Sequence, residues 1–182
     1  MLSLFLLALL SLTTLVSAAR ALPSHPSAAH ALSKRGSPAQ INAFLFAHNV
    51  IREAHAAPDL TWSTELASLA EEWADNCVFQ RTEGILRETP YGELHVAATG
   101  VFPISNAINQ FVLDEVEYNP AKPTYNHWTQ IVWKSTTEVG CARSQCDNML
   151  GHATGVATYY VCLYNPAGNI IGQASENVSK LL

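Results

Sequence analysis

The sequence is poor in basic residues and has only one long apolar run. Its 182 residues include ten Lys or Arg against fifteen Asp or Glu, a formal net charge of −5. Without a basic patch, nucleic acid is excluded as an expected partner, as is binding to anionic lipid by charge alone. A neutral lipid is compatible with this composition. Beyond the N-terminal run, no stretch is long and apolar enough to span a bilayer.

That apolar run stands at the N-terminus. Residues 2–16 are almost wholly apolar, and the small residues Ser17 and Ala18 follow. About 15 apolar residues followed by small ones are typical of a signal peptide, whereas a membrane span needs roughly 20. We therefore predict a signal peptide over residues 1–18 and a secreted, extracellular protein.

The next segment has no apolar periodicity. Residues 19–35 are rich in Ala, Ser, Pro and His, which is typical of a disordered pro-segment. They end in Lys34-Arg35, which resembles a dibasic processing site; a chance pair in a flexible tail is the alternative. Cleavage there leaves one domain, residues 36–182, with seven basic and fifteen acidic residues and a net charge of −8.

The sequence has no C-x₂-C pair, which argues against a zinc–thiolate site. Its four cysteines form an even set in a chain with a secretory signal, so two disulfides are expected, with three pairings open. The cysteines are Cys77, Cys141, Cys146 and Cys162. Asn177 begins an Asn-Val-Ser glycosylation sequon, and we expect a glycan there.

Helical patterns come first along the chain. Ser37 begins a capping box, and a first helix is predicted over residues 38–56. A second helix is predicted after a cap at Ser63, with an apolar stripe from Leu66 to Cys77, and a third over residues 105–117. On the first helix, His48 is predicted to be a hydrogen-bonded core residue and His55 a cation near the helix C-terminus.

β-Branched and aromatic residues dominate the second half. Strands are predicted over residues 128–133, 138–143 and 158–164. Helices followed by an antiparallel sheet indicate an α+β fold.

Three motifs then resemble one family. "YNHWTQIVWKSTTEVGCA" and "TYYVCLYNPAGNIIGQ" resemble the two signatures of the CAP superfamily, and "AHNVIREAHAAPDLTW" resembles its first block. The family comprises cysteine-rich secretory proteins, pathogenesis-related 1 proteins and secreted fungal relatives, and the resemblance covers residues 39–173. It implies an α-β-α sandwich with a central antiparallel sheet. It also implies the disulfides Cys77–Cys146 and Cys141–Cys162.

The resemblance further implies a surface cavity with two histidines and two acids. Three of those positions fall on Glu93, Asp114 and His127, but the first histidine is replaced by Arg81. A permanent guanidinium charge repels a divalent cation and can pair with carboxylates. We therefore predict an arginine–carboxylate network with His127 at its edge and no metal. His127 with Glu93 is the weaker metal alternative, and His95 could replace the lost ligand if it lies in a strand beside Glu93.

No catalytic constellation stands out. Ser135, Thr136 and Thr137 follow the TQIVWK run, but nothing marks one of them as an activated nucleophile. Arg81 would hold Glu93 and its partner acid ionised. We therefore predict no enzyme activity and no cofactor, with a metal-dependent hydrolase as the weakest alternative.

The resemblance implies binding or export of small hydrophobic lipids, sterols or fatty acids. In related proteins the sterol role is placed in the loop before the histidine, here residues 118–126, with Tyr118, Pro120, Pro123 and Tyr125 as candidate ligand residues. The alternative is a secreted effector that binds a host or extracellular protein. We expect a monomer in either case.

Overall fold

The computed structural model describes residues 36–86, 90–151 and 155–179. The predicted signal peptide and pro-segment lie outside the described residues. The helices are α1 (Pro38–Ala54), α2 (Thr64–Asp75), α3 (Ile104–Val112), α4 (His127–Ile131) and α5 (Ala174–Asn177), and a 3₁₀ turn (Leu113–Glu117) follows α3. The strands are β1 (Thr61–Trp62), β2 (Gly92–Thr99), β3 (Glu138–Asp147) and β4 (Val156–Asn165).

One four-stranded sheet lies between two helical layers, in the order β1-β3-β4-β2. β4 pairs antiparallel with both β2 and β3, whereas the two-residue β1 runs parallel to β3. The sheet is therefore mixed, a correction to the purely antiparallel sheet that was expected. The α+β sandwich itself is confirmed.

β4 shows why the fold needs helices on both faces. Every residue from Ala157 to Tyr164 is buried, and successive side chains of a strand point to opposite faces. One set packs with α2, and the other packs with α1, α3 and α4. The first set is Tyr159, Val161 and Leu163, and the second is Tyr160, Cys162 and Tyr164.

Local signals position the first two helices. Ser37 and Gln40 form the reciprocal capping box at the start of α1, and the Ser63 side chain accepts from Leu66 N–H at the start of α2. The third predicted helix is α-helical only to Val112 and continues as a 3₁₀ turn. Among the described helices, none combines the length and apolar character that crossing a membrane requires.

The prediction of a strand over residues 128–133 is wrong. These residues begin in α4, and Asn126 caps that helix with the box that it forms with Thr129. Asn126 Oδ1 accepts from Thr129 N–H at 3.0 Å, while Thr129 Oγ1 accepts from Asn126 N–H at 2.8 Å. This paired capping outweighs the β-rich composition of a short segment.

The two disulfides are Cys77–Cys146, which joins the segment after α2 to β3, and Cys141–Cys162, which joins the paired strands β3 and β4. These are the pairs that the resemblance implied. Cys146 and Cys162 are both fully buried within the two core clusters. Among the described residues, no free cysteine is left for zinc or for catalysis.

Candidate functional site

Two cavities could carry function. The first, which we call the His127 cavity, has a volume of about 460 Å³ and adjoins a smaller pocket of about 200 Å³. Arg81, Glu93 and His127 line both spaces, and Asp114 lines the larger one. The structure thus brings the four family positions together at one opening.

Glu93 is the anchor of this cavity. It lies on β2 with a side chain only 4% exposed. Its Oε1 accepts from Arg81 Nε at 3.1 Å, while its Oε2 accepts from Thr82 N–H at 2.8 Å and lies 3.2 Å from His95 Nε2. Burial alone would raise the pKa of Glu93, but hydrogen bonds from His95 and Thr82 outweigh it and lower the pKa to about 2. Glu93 is therefore an ionised carboxylate that its hydrogen bonds fix in place.

His95 continues the network beneath the cavity. It lies on β2 two residues after Glu93, so both side chains share a face of the sheet. Its Nδ1 lies 2.6 Å from the Tyr159 hydroxyl, and that hydroxyl donates to the Val78 carbonyl at 3.2 Å. Burial raises the pKa of Tyr159. The His95 side chain, which is 8% exposed, thus links Glu93 on β2 to Tyr159 on β4.

Asp114 and His127 form a separate pair. Asp114 Oδ2 lies 2.6 Å from His127 Nδ1 and accepts from His127 N–H at 3.1 Å. The His127 ring stacks on Phe111 with centroids 5.4 Å apart, and its side chain is 52% exposed. The single network that was expected is therefore two pairs, because Arg81 meets Glu93 through Nε alone and Asp114 turns to His127.

This donor set does not fit a divalent cation. Both Glu93 oxygens already accept hydrogen bonds, and the Arg81 guanidinium stands at the cavity with a side chain 65% exposed. Within the described residues, one cluster brings three ligand atoms of metal-binding type together, and it consists of His48, Cys141 and Cys162. Those two cysteines are joined in a disulfide, so this cluster cannot bind as thiolates.

The candidate ligand loop is built into the fold. Tyr118 is buried, with its ring centroid 5.1 Å from that of Trp128. The Tyr125 hydroxyl accepts from Gly172 N–H at 2.7 Å. Pro120 is exposed and Pro123 is half-buried. The two tyrosine rings thus have protein partners, and the loop presents little free aromatic surface to a ligand.

The second cavity is larger and apolar. We call it the apolar groove; its volume is about 1030 Å³, and it lies between α1, the chain that leads into α3, and the ends of β3 and β4. Five of its apolar residues come from one face of α1: Ala43, Phe46, Ala47, Val50 and Ile51. The opposite wall includes Val101, Phe102 and Ile104.

The apolar groove was not predicted, although the sequence contains a pattern that indicates it. Positions 43, 46, 47 and 50 recur at i, i+3, i+4 and i+7, a second apolar stripe beside the core-facing Phe44 and His48. Phe46 is 73% exposed although it belongs to this stripe. A helix with two apolar faces indicates that one of them meets something other than the core.

The part of the first family-like block that lies on α1 has a structural role. His48 lies in the core between the Phe44 carbonyl and the Tyr164 hydroxyl, and burial lowers its pKa to about 4. Arg52 is fully buried and donates to four carbonyls, those of Pro58, Ile131, Trp133 and Thr136. The core position expected for His48 is confirmed.

His55 is the C-cap of α1, yet it is buried. Its Nδ1 lies 3.1 Å from the Ser179 carbonyl, and its Nε2 lies 3.6 Å from Glu115 Oε1. It therefore ties the end of α1 to the C-terminal segment rather than standing free at the helix end.

Asn177 is not placed as a glycan acceptor requires. The residue is buried in α5, where its Oδ1 accepts from Ser135 N–H at 3.0 Å and its Nδ2 donates to the Gln173 carbonyl at 3.0 Å. A glycan on Nδ2 would break that bond and could not be housed in the core. The expected glycosylation conflicts with this geometry.

The α-β-α sandwich with a cavity beside α4 can now be compared with known protein families. Residues 45–164 match the family described as "CAP: Cysteine-rich secretory protein family". The chain belongs to this family.

The sequences of curated fungal proteins support this family membership. The chain is 36% identical over 142 residues to "Probable pathogenesis-related protein" of Arthroderma benhamiae, covering 72% of this chain and 46% of that protein. It is also 36% identical over 136 residues to "Secreted protein PRY1" of Candida albicans, covering 74% of this chain and 31% of that protein. The chain thus spans less than half the length of these relatives.

A solved structure supports the fold. NaASP2 with Zn²⁺ superposes with a TM-score of 0.61 at 22% identity, covering 75% of this chain and 84% of that one. At this identity the likeness concerns the fold alone.

Proposed function

We propose that this protein is a secreted, non-enzymatic CAP-domain protein that binds a small hydrophobic lipid, a sterol or a fatty acid, and carries it outside the cell. The observation that carries this proposal is the apolar groove. Its volume of about 1030 Å³ is at the upper end of the roughly 300–1,000 Å³ of ligand pockets.

The lining of the apolar groove favours a ligand with a long apolar body and a small polar end. Thr158 and Tyr160 already donate to the carbonyls of Gly100 and Phe102. Arg143, the one charged side chain among the described residues that line the groove, could pair with a fatty acid carboxylate. Ser105 offers a hydroxyl partner for the one polar group of a sterol.

The apolar groove is a better candidate than the loop of residues 118–126. Tyr118 and Tyr125 contact Trp128 and Trp133, so a lipid under this loop would have to displace rings that the core uses. The groove needs no such rearrangement, because its apolar walls face an open space. We therefore move the ligand site from the loop to the groove.

The His127 cavity supports no hydrolase. His127 Nδ1 is held by Asp114 as in a catalytic dyad, which leaves Nε2 to act as a base. Among the described residues that line this cavity, however, there is no serine, threonine or cysteine to serve as a nucleophile. The proposal therefore includes no catalytic step.

Secretion is proposed on two grounds. Relatives carry the name "Secreted protein", and the two disulfides belong to an oxidising compartment. A signal peptide over residues 1–18 and cleavage after Arg35 stay predictions. N-terminal sequencing of protein from the culture medium would test both.

A matched pair of variants tests the ligand site. Ala43 is exposed and lines the apolar groove, whereas Ala121 is exposed in the loop of residues 118–126. Fluorescent sterol and fluorescent fatty acid are titrated into the wild type, Ala43→Trp and Ala121→Trp. We expect saturable binding of at least one probe, lost in Ala43→Trp and kept in Ala121→Trp.

The reverse pattern, with loss only in Ala121→Trp, would return the site to the loop. If neither probe bound the wild type, lipid binding would be refuted, and a secreted module that binds a protein would be the better account.

A further inference from the structure

The rim of the apolar groove carries exposed apolar side chains. Phe46 is 73% exposed and Val101 97%, and Val50 and Val156 are also exposed. All four line the same opening, although they come from α1, the loop before α3, and β4. Large apolar side chains gathered around one opening indicate an interaction surface rather than scattered surface residues.

Hydrogen bonds fix the backbone on both sides of Val101. Gly100 adopts a φ of +79°, a backbone conformation that favours glycine, and its N–H donates to the Val156 carbonyl at 2.8 Å. Thr158 Oγ1 donates to the Gly100 carbonyl at 2.6 Å, and the Tyr160 hydroxyl donates to the Phe102 carbonyl at 2.5 Å. The bonds on either side hold Val101 out in solvent, so little ordering entropy is lost when it is buried.

The charge around the apolar groove differs from that of the whole domain. Residues 36–182 have a net charge of −8, yet among the described residues that line the groove none is acidic and one, Arg143, is basic. Asp147 lies opposite Val156 in the register of β3 and β4, so the rim has no net cationic character. Such a surface suits zwitterionic head groups better than anionic ones.

We propose that this rim docks on the surface of a neutral, phosphatidylcholine-type bilayer, with Val101 and Phe46 inserted at the boundary between head groups and acyl chains. The groove then opens onto the acyl region, and a lipid enters it without crossing water. This inference rests on the proposed lipid binding, because it states where the cargo is loaded.

The test compares two valines on different faces. Val101 is at the rim, whereas Val116, 90% exposed in the 3₁₀ turn, does not line the groove. Wild type, Val101→Asp and Val116→Asp are floated with phosphatidylcholine vesicles. Val101→Asp removes a valine side chain that docking would bury in the bilayer, so vesicle partitioning should fall about tenfold. Val116→Asp should change it little.

A second measurement separates docking from lipid binding. A fluorescent fatty acid is delivered to the wild type from solution, without vesicles, and saturable binding is expected even though no membrane is present. Absence of wild-type flotation, equal losses in both variants, or flotation that requires anionic lipid would overturn the docking inference. If flotation depends on Val101 but no probe binds from solution, docking stands and the proposed lipid binding fails.

Discussion

The two cavities of this domain lie in the same fold but differ in how their surfaces are satisfied. In the His127 cavity, Glu93 has Arg81, Thr82 and His95 as partners, and Asp114 has His127. The apolar groove has the opposite character, with large side chains such as Phe46 open to water. The hydrogen bonds among the polar groups of the first cavity stabilise the fold. In the second cavity, binding is favourable because a ligand removes exposed apolar surface from water.

The largest expected effect comes from breaking the polar network. Glu93→Gln removes a buried carboxylate whose pKa is lowered to about 2 from an ordinary value of 4.5. That difference corresponds to about 3 kcal/mol of folding free energy near neutral pH. We expect chemical denaturation at pH 7 to show a loss of this size.

The pH dependence provides the control. Because the folded-state pKa is depressed, the contribution of Glu93 is fully present above the unfolded value of 4.5 and is lost as pH falls towards 2. The stability gap between wild type and Glu93→Gln should therefore close over this window. Glu117→Gln, an exposed change in the 3₁₀ turn, should differ from wild type by less than about 0.5 kcal/mol. A gap that stays constant with pH would contradict this account of Glu93.

Much of the fold could be predicted from the sequence. The periodicity of α1 and α2 and their caps at Ser37 and Ser63 are local signals, and they lie where expected. β3 and β4 were found by composition. α4 was misassigned because Asn126 and Thr129 set its backbone through capping, which a composition rule ignores. β2 was not predicted as a strand, since its sequence Gly-Glu-Leu-His-Val-Ala-Ala-Thr lacks a clear alternation and its pairing with β4 is long-range.

The site was predictable only in part. Motif matching placed Arg81, Glu93, Asp114 and His127 around one cavity, and the structure brings them together. Which acid pairs with which cation depends on side-chain direction, and no spacing rule gave the separate Asp114–His127 pair. The apolar groove was missed because helix α1 was assigned a single buried face.

The next largest effect is expected from Gly92→Ala, which tests how tightly the floor of the His127 cavity is packed. A Cβ at Gly92 would overlap Gln130 Oε1, which accepts from Gly168 N–H at 3.0 Å. Gln130 is buried and also bonded to Thr136 Oγ1, so it cannot move without losing both bonds. Gly92→Ala should cost about 1–3 kcal/mol in urea denaturation.

Its counterpart at the apolar groove is Gly100→Ala. A Cβ there meets no atom of the described residues within 4 Å, so the cost is backbone strain from the positive φ, about 1 kcal/mol. If Gly100→Ala cost more than Gly92→Ala, the contrast between a packed and an open cavity would be wrong.

A smaller effect should separate binding from stability. Phe46→Ala removes an exposed ring from the apolar groove, so the free energy of unfolding should change by less than about 0.5 kcal/mol. Loss of the ring should weaken binding of the lipid probe about tenfold, since covering a phenylalanine side chain is worth roughly 1.5–3 kcal/mol. Fluorescence titration and thermal melting of one preparation measure both. His127→Ala is the control in the other cavity, and it should leave probe affinity unchanged.

The smallest expected effect is the response to zinc, which tests whether the His127 cavity is closed to cations. The Arg81 guanidinium and the occupied oxygens of Glu93 oppose cation binding, so micromolar zinc should leave the wild-type Tm unchanged. Arg81→His removes the charge and adds a ligand, and its Tm should rise with zinc. Arg81→Gln removes the charge without adding a ligand, so a rise confined to Arg81→His assigns the effect to the new imidazole. A wild-type rise that a chelator reverses would show that the arginine does not close the site.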